Sequence, residues 1–329
     1  SATVIKGFNA DVSAQILREK WDLFEHPVAV GLDATKFDMH VSVNALHYEH
    51  SFYKSLFPGN KELVKLLSWQ LHNKGVARAQ DGIVKFEMDG TRCSGDLNTS
   101  LGNCLLMCAM IWSLCAELGI KAELANNGDD CVVFLEQRDL SAFMAPIGPW
   151  FKKRGFAMTV EEPVTEFEEV EFCQTHPVEL STGWRMVRNW SACQQKDPMC
   201  LIDIPNGKVF QKWMGAVGMC GTTLTSGVPV HENFYQVFKR NGREFSQGLL
   251  NEIYRNRSQL QLSKGIAQGI VTPVARVSYF YAFGVLPDEQ IRMERFFDQT
   301  TIGEINHNAT DQSWLSIDPG FNILNIVRE

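Results

Sequence analysis

Residues 122–135 have the sequence Ala-Glu-Leu-Ala-Asn-Asn-Gly-Asp-Asp-Cys-Val-Val-Phe-Leu, in which two largely apolar stretches flank a polar centre. Asn-Gly between such stretches is a strong signal for a β-hairpin, because both residues tolerate the positive backbone φ of a tight turn. The pattern predicts strands over 122–125 and 131–135. The tip of this hairpin then carries two neighbouring acids, Asp129 and Asp130.

A further short strand is predicted over residues 28–32, whose sequence Val-Ala-Val-Gly-Leu is typical of a covered sheet and stops at Asp33. If this strand and the hairpin share one sheet, Asp33, Asp129 and Asp130 meet at one edge. Carboxylates this close repel one another, and bound Mg²⁺ or Mn²⁺ ions relieve the repulsion. The alternative is a plain polar turn, which the isolated Gly-Asp-Asp tripeptide favours.

A long helix is predicted over residues 97–118, because the stretch is strongly apolar from Cys104 onward and Gly119 supplies a typical C-terminal stop. Such a helix suits a position beneath a sheet. The other predicted elements are a helix at 13–24, a mostly helical, polar segment at 41–88, strands at 170–174 and 184–187, and helical patches at 210–214, 234–238 and 249–254. This mixture predicts an α+β fold with a mainly helical C-terminal part.

Two polar segments accompany the three acids. Asp38 comes just after the first strand, and residues 94–103, Ser-Gly-Asp-Leu-Asn-Thr-Ser-Leu-Gly-Asn, open the long helix. Thr99 and Asn103 are four residues apart, so they share one helical face that can look back towards the acids. The alternative is an ordinary helix N-terminus, with Ser94 or Asp96 as the capping residue.

Composition sets limits on the class of protein. The chain has 329 residues, 45% of them hydrophobic, which is enough for a substantial core, and a net charge of -7. A broad basic face for nucleic acid is therefore not expected, whereas a local acidic site for cations is. Nine cysteines without a Cys-x-x-Cys pair indicate reduced thiols in a cytosolic protein. No uninterrupted apolar run approaches the roughly 20 residues of a membrane helix, so no membrane span is predicted.

Taken together and in this order, the segments closely resemble the RNA-dependent RNA polymerases of positive-strand RNA viruses. Residues 33–38 resemble the first palm motif of that family, 94–103 its Ser-Gly-x-x-x-Thr-x-x-x-Asn second motif, and 128–130 its Gly-Asp-Asp third motif. Residues 171–174, Glu-Phe-Cys-Gln, are similar to the strand that steadies the primer end. The residues that make up the second motif, and the Phe-Cys-Gln run, resemble those of tombusvirus-like enzymes of plant viruses in particular.

The resemblance implies the right-hand polymerase architecture, in which a palm with a small antiparallel sheet packed on helices is followed by a mainly helical thumb. It divides the chain into the start of the palm with the first catalytic strand, a fingers-like insertion, the rest of the palm, and the thumb, at residues 1–40, 41–88, 89–190 and 191–329. The family also grips the triphosphate with a basic fingers strand before the first motif. Only Lys6, Arg18 and Lys20 precede Asp33 here, so most of the fingers are expected to be missing.

The resemblance also assigns roles to individual residues. Asp33 and Asp129 would hold two magnesium ions, for which manganese can substitute, and Asp130 would be an accessory ligand. Asp38 and Asn103 would read the ribose 2′-hydroxyl. This agrees with the chemistry of such a site, because a pocket built to bond a hydroxyl rejects the analogue that lacks it.

Further implied roles concern the nucleotide loop and the primer. Ser94 and Gly95 would lie in a loop that moves as the nucleotide enters, and Thr99 would support that pocket. Cys173 and Gln174 would face the primer strand, the alternative being an ordinary strand interior.

The family uses a lysine to protonate the leaving pyrophosphate, and this lysine is harder to place. Lys153 is the candidate general acid, although no lysine follows Gly155 as the family pattern expects. The alternative for Lys153 is a solvated helix end.

The activity that follows from the resemblance is copying of viral RNA by two-metal nucleotidyl transfer from ribonucleoside triphosphates, with release of pyrophosphate. The expected partners are the RNA template, the nascent strand, a viral auxiliary replication protein and the missing N-terminal fingers region. The expected location is the host cytoplasm, at membrane-associated replication complexes reached through those partners or segments.

Three other functions remain as alternatives. A catalytically silent RNA-binding or scaffold fragment of a viral replicase would need the acids only for its structure. A reverse transcriptase has a bulky residue in place of Asp38 and lacks the helix of the second motif. A metal-dependent hydrolase would have no use for the pair that reads the ribose.

Overall fold

The computed structural model describes residues 1–199, 207–244 and 265–302 of the chain. The chain divides into two compact units, the first made of Ser1–Lys6 and Lys20–Thr165 and the second of Gly7–Glu19 and Glu166–Glu329. Helices and small antiparallel sheets occur in both. This confirms the predicted α+β class.

The first helix, α1 (Ala10–Trp21), contributes residues to both units. The helices of the first unit are α2 (Phe37–His40), α3 (Val43–Leu56), α4 (Lys61–Trp69), α5 (Thr99–Leu118), α6 (Leu140–Met144) and α7 (Ile147–Lys153). Its strands are β1 (Pro27–Ala34), β2 (His72–Ala79), β3 (Gly82–Asp89), β4 (Ala122–Asn127), β5 (Asp130–Glu136) and β6 (Met158–Val160).

A four-stranded antiparallel sheet with the strand order β4-β5-β1-β6 forms the centre of the first unit. Its two middle strands, β1 and β5, carry the apolar runs, which are almost entirely buried. The predicted strand and the predicted hairpin therefore do share one sheet. Strand β1 does not stop at Asp33 but includes it and ends at Ala34, because Asp33 still pairs with neighbours on both sides, Asp130 and Thr159.

Helix α5 covers one face of this sheet, as its apolar composition predicts. Its buried residues pack in one core with alternate residues of the two middle strands, and this core includes Leu106, Met107, Ile111, Leu114, Val28, Val30, Leu32, Cys131, Val133 and Leu135. The helix ends at Gly119, which has a φ of 66°. Among the described residues, α5 is the helix whose length and composition would allow it to cross a membrane. Its packing against the sheet is that of a core helix.

Residues 72–89 form a β-hairpin where the sequence predicts mostly helix. The helical prediction for 41–88 is confirmed only by α3 and α4, and it is wrong from His72 onward, where β2 and β3 pair along their whole length. The missed signal is the two-residue period of Val84, Phe86 and Met88, which puts apolar side chains on one face of a strand.

The second unit combines a two-stranded antiparallel sheet with helices. Its elements are β7 (Thr175–Leu180), β8 (Gly183–Arg188), α8 (Trp190–Lys196), α9 (Gly207–Leu224), α10 (His231–Asn241), α11 (Pro273–Phe283) and α12 (Pro287–Gln299). Its core is rich in aromatic residues, among them Trp213, Phe234, Phe238, Tyr279 and Phe297. The helical predictions at 210–214 and 234–238 are confirmed by α9 and α10, and the one at 249–254 lies outside the described residues.

Candidate active site

The sheet brings the three predicted metal ligands to one edge of the first unit. Asp33 in β1 lies directly opposite Asp130 in β5, so the two side chains project from the same face of the sheet, with Cβ atoms about 5 Å apart. Asp129 follows Gly128 in the two-residue turn between β4 and β5. Asp33 and Asp129 are exposed, and Asp130 is partly buried.

Asn126 holds the turn in place from inside the protein. Its side chain is fully buried, and its Nδ2 donates to the carbonyl oxygen of Gly128 over 2.7 Å. The Oδ1 atom of the same side chain accepts from the backbone N–H of Gly128 over 3.2 Å. Gly128 itself has a φ of 95°, a conformation that favours glycine. The position of Asp129 is therefore fixed by a buried amide that the sequence analysis did not single out.

The donor set of this edge suits an open magnesium site. Proteins usually hold Mg²⁺ through one or two carboxylates, while waters and substrate phosphates complete the octahedron. Among the residues that the structure describes, no three His, Cys, Asp or Glu side chains are grouped as a complete metal site. The carboxylates therefore suit an ion whose remaining ligands come from a substrate and from water, rather than a structural ion bound by protein side chains alone.

The nearby thiols do not compete for such an ion. Burial, and then the charge of Asp130, raises the pKa of the Cys131 thiol well above its ordinary value. Burial also raises the pKa of Cys104, which lies beneath the turn. Both thiols therefore stay protonated at neutral pH, and soft sulfur is in any case a poor ligand for Mg²⁺.

Asp38 reaches the site through a sharp change of direction after β1. Lys36 has a left-handed backbone with a φ of 51°, and the single helical turn α2 follows it. Phe37 is buried against Phe156, with ring centroids 4.8 Å apart, which anchors this turn in the core. Asp38 is then left partly exposed.

Asp38, Ser94 and Asn103 meet in the structure. The resemblance implies that Asp38 and Asn103 share a site, and the bond from Ser94 to Asp38 is an additional contact. Ser94 Oγ donates to Asp38 Oδ2 over 2.5 Å, and Asn103 Nδ2 donates to Asp38 Oδ1 over 2.8 Å. Asn103 is 6% exposed, and its own Oδ1 has no hydrogen-bond partner among the described residues. A Cβ added at Gly128 would lie 3.9 Å from the Cβ of Asn103, so this amide also adjoins the turn that carries Asp129.

The other predicted nucleotide-site residues lie in the loop before α5, where Gly95 is, and at the start of α5, where Thr99 is. Thr99 Oγ1 donates to the carbonyl oxygen of Cys93 over 3.0 Å, so Thr99 supports the loop from the first turn of the helix. Gly95 is exposed, and a Cβ added there would meet nothing within 4 Å. The loop therefore has free space at Gly95, and the backbone there does not adopt a conformation that requires glycine.

Glu161 is a further acid that the sequence analysis missed. Its backbone N–H donates to the carbonyl oxygen of Gly31 over 2.9 Å, and its carboxylate occupies the space where a side chain at position 31 would be. Gly31 precedes Asp33 by two residues, so both lie on the same face of β1. The glycine within β1 was the sequence signal for this contact.

Cys173 and Gln174 lie in the second unit, and they do not form a strand. The backbone groups of the flanking residues, Phe172 and Thr175, form hydrogen bonds with each other. Cys173 and Gln174 between them have positive φ values of 54° and 59°. This is the geometry of a two-residue hairpin turn. The strand predicted over 170–174 is therefore wrong, because neither residue carries the glycine or asparagine signal by which such turns are usually found.

Lys153 is the exposed last residue of α7. The pKa of Glu117 is lowered by the hydrogen bond from Trp150 and, to a smaller extent, by Arg154, Ser113 and Lys153. Glu117 lies about four turns, or about 20 Å, further along α5 than Asn103. The charge of Lys153 thus acts on the far end of α5 and not on the end that carries Asn103.

Comparison with known proteins agrees with this arrangement. A family model described as viral RNA dependent RNA polymerase matches residues 1–304. The chain belongs to this polymerase family. The RNA-directed RNA polymerase of Cucumber necrosis virus is 45% identical over 317 residues, which cover 94% of this chain and 38% of the viral protein.

Two further relatives have similar sequence identity and coverage. The RNA-directed RNA polymerase of Tobacco necrosis virus (strain A) is 45% identical over 305 residues, 90% of this chain and 41% of that protein. The enzyme of Tomato bushy stunt virus (strain Cherry) is 44% identical over 300 residues, 89% of this chain and 36% of that protein. The chain thus spans about two fifths of the length of the polymerases it matches.

Proposed function

We propose that the protein acts as an RNA-directed RNA polymerase that copies viral RNA from ribonucleoside triphosphates. The observation that carries the proposal is the arrangement at one edge of the sheet, where Asp33 and Asp130 face each other. The hydrogen-bonded pair of Asp38 and Asn103 adjoins the turn between β4 and β5 at that edge. Acids for divalent cations next to groups that bond a hydroxyl are what ribonucleotide transfer requires. The family match supports the same activity.

Asp33 and Asp129 are proposed to hold two Mg²⁺ ions, for which Mn²⁺ can substitute, with Asp130 as an accessory ligand. When bound, such ions make the attacking hydroxyl more acidic and neutralise the charge of the departing phosphate. The contribution of the chain is to fix the carboxylates. Strand pairing sets the position of Asp33, and the turn braced by Asn126 sets that of Asp129.

In the proposed reaction the 3′-oxygen of the nascent strand forms a bond with the α-phosphorus of the nucleotide. The bond from that phosphorus to the pyrophosphate oxygen breaks, and pyrophosphate leaves. Asp38 and Asn103 would hold the ribose, because the unpartnered Oδ1 of Asn103 can accept a hydrogen bond from the 2′-hydroxyl. Ser94 would keep Asp38 oriented, and Gly95 and Thr99 would shape the loop around the nucleotide.

The wider architecture is proposed from the family. The four-stranded sheet with α5 would be the palm, residues 41–88 a part of the fingers, and the helices after residue 191 the thumb. Cys173 and Gln174, at the tip of their turn, would touch the primer strand. Lys153 is not proposed as the general acid, because its charge acts on the end of α5 that lies far from Asn103. Template RNA and a viral auxiliary replication protein remain the proposed partners.

The test of this function is templated incorporation of ribonucleotides in Mg²⁺. Because the chain spans about two fifths of its relatives, the assay uses the product of the complete reading frame that encodes it. Asp129→Asn and Asp33→Asn should each reduce incorporation by several orders of magnitude, whereas Asp139→Asn, at a partly exposed position outside the site, should not. Near-normal incorporation by both site variants would overturn the proposal.

A further inference from the structure

A buried carboxylate lies behind the loop that carries Ser94. Glu49, in α3, is completely buried and forms an ion pair with the guanidinium group of Arg92, which is also buried. Glu49 Oε1 additionally accepts from the hydroxyl of Tyr53 over 2.7 Å and from Nδ2 of Asn98 over 2.8 Å. Tyr53 lies one turn further along α3, whereas Arg92 and Asn98 belong to the segment that precedes α5.

Arg92 and Asn98 are the two residues that flank the loop 93–97. The backbone N–H of Arg92 donates to the carbonyl oxygen of Asp38 over 2.8 Å, which ties the start of the loop to the turn after β1. The carbonyl oxygen of Asn98 accepts from Gly102 N–H over 2.8 Å and so begins α5. A single carboxylate therefore fixes both ends of the loop.

The surroundings leave this carboxylate little freedom. A side chain at Gly102 would overlap the Glu49 carboxylate and come within 2.6 Å of the Arg92 guanidinium, so only glycine lets α5 approach so closely. Asn98 Oδ1 also accepts from Gln70 Nε2 over 2.7 Å, and Gln70 bonds the ring of His50. The Nε atom of Arg92 has no acceptor in the described ranges of the chain, and the other guanidinium nitrogens bond Glu49.

The loop between these anchors is itself exposed from Cys93 to Gly95. Its hydrogen bonds to the rest of the unit are few. Ser94 bonds Asp38, the carbonyl oxygen of Cys93 accepts from the Thr99 hydroxyl, and that of Asp96 accepts from the Thr99 N–H over 3.1 Å. An exposed loop of five residues would sample many conformations if its ends were free. Its geometry towards Asp38 therefore depends on the anchors at Arg92 and Asn98.

We propose that Glu49 is a positioning residue for the nucleotide site. It holds both ends of the loop 93–97, and through them it sets how Ser94 and Asp38 meet the ribose. This inference rests on the proposed polymerase function. Small displacements of groups that orient a substrate are costly, since a shift of about 1 Å can reduce a rate by about 100-fold.

The competing explanation is that Glu49 only stabilises the fold, and a matched variant separates the two. Glu123 in β4 forms an ion pair over 2.9 Å with Lys20, whose side chain is also fully buried, in the same unit. Neither residue contacts the loop. Glu49→Gln and Glu123→Gln thus make the same chemical change to two carboxylates that each neutralise a buried cation.

The first measurement is hydrogen exchange of the backbone amides over residues 92–98, which needs no catalytic activity. Glu49→Gln should accelerate exchange in this segment, and Glu123→Gln should leave it unchanged. The second measurement is the ratio of incorporation efficiencies for GTP and dGTP opposite a templating C. Glu49→Gln should lower the ratio of GTP to dGTP incorporation by about tenfold, and Glu123→Gln should leave it unchanged.

If Glu49→Gln does not fold, Asn98→Ala provides the same test, because it removes one anchor and leaves the ion pair in place. Faster exchange together with a narrower ratio would support the inference. An unchanged ratio in folded Glu49→Gln or Asn98→Ala, in an enzyme whose Asn103→Ala variant does lose discrimination, would overturn it. Absence of any templated synthesis by the unaltered enzyme would instead contradict the proposed function itself.

Discussion

Asn103 donates a hydrogen bond from Nδ2 to Oδ1 of Asp38 over 2.8 Å, while its own buried Oδ1 accepts no hydrogen bond from the part of the chain that the structure describes. Leaving a buried acceptor unsatisfied costs about 1–3 kcal/mol, so native proteins rarely do so without a reason. The Asn103 side chain lies next to the Asp38 carboxylate and next to the turn that carries Asp129. A ligand hydroxyl that donates to Asn103 and lies near Asp38 would supply the missing bond.

The close approach of α5 to the Glu49 carboxylate makes a prediction about Gly102. Gly102→Ala should lower the free energy of unfolding by about 1–3 kcal/mol, because the added methyl group overlaps the buried ion pair of Glu49 and Arg92. Urea denaturation of the chain measures the change.

Gly148 is the matched control for that experiment. It also lies within a helix, α7, but a Cβ added there meets nothing within 4 Å. Gly148→Ala should therefore stabilise the chain by up to about 1 kcal/mol through helix propensity alone. Equal effects of the two substitutions would contradict the packing described around Glu49.

His231 should make the stability of the second unit depend on pH. Burial lowers its pKa from the ordinary 6.5 to about 4. Between these values the unfolded chain binds a proton that the folded chain does not, so stability is complete above about pH 6.5 and falls as the pH drops towards 4. The free energy of unfolding should decrease by about 3 kcal/mol between pH 6.5 and pH 4.

The measurement is the urea midpoint at several pH values in that window. His231→Gln should flatten the dependence, whereas His47→Gln, at an exposed position, should leave it unchanged. A wild-type slope in His231→Gln would show that other groups cause the acid sensitivity.

The turn that carries Asp129 depends on Asn126. Asn126→Ala removes both bonds to the backbone of Gly128 and leaves those buried groups unpaired, so the unfolding free energy should fall by about 1–3 kcal/mol. Asn44→Ala, at an exposed position in α3, should change it by no more than about 0.5 kcal/mol. The same denaturation assay compares the two, and a neutral Asn126→Ala would mean that the turn holds its shape without this side chain.

The elements around the acids could be predicted because their signals are local. The Asn-Gly pair at the hairpin tip and the apolar runs beside it indicated β4, β5 and β1, although the turn itself is formed by Gly128 and Asp129, one residue later than the pair suggests. The apolar stretch closed by Gly119 indicated α5. The meeting of Asp38 with Asn103 followed from the motif order and is found in the structure. Their chemical roles remain predictions.

The supporting contacts could not be predicted in the same way. Glu49 and Arg92 are 43 residues apart, and nothing in the helical pattern of α3 indicates that Glu49 points into the core. The turn at Cys173 and Gln174 was missed because both residues adopt a left-handed backbone without the usual sequence signal. The hairpin of β2 and β3 was missed because its surroundings have a helical period.

The most direct test of the account is the sugar preference of the complete enzyme, measured as the ratio of incorporation efficiencies for GTP and dGTP opposite a templating C. Asn103→Ala should lower this ratio by about ten- to hundredfold, because the lost bonds to the 2′-hydroxyl and to Asp38 matter for ribonucleotides alone. A ratio that stays within about twofold of the wild-type value, about 0.4 kcal/mol, in a variant that folds normally, would contradict the claim that Asp38 and Asn103 read the ribose.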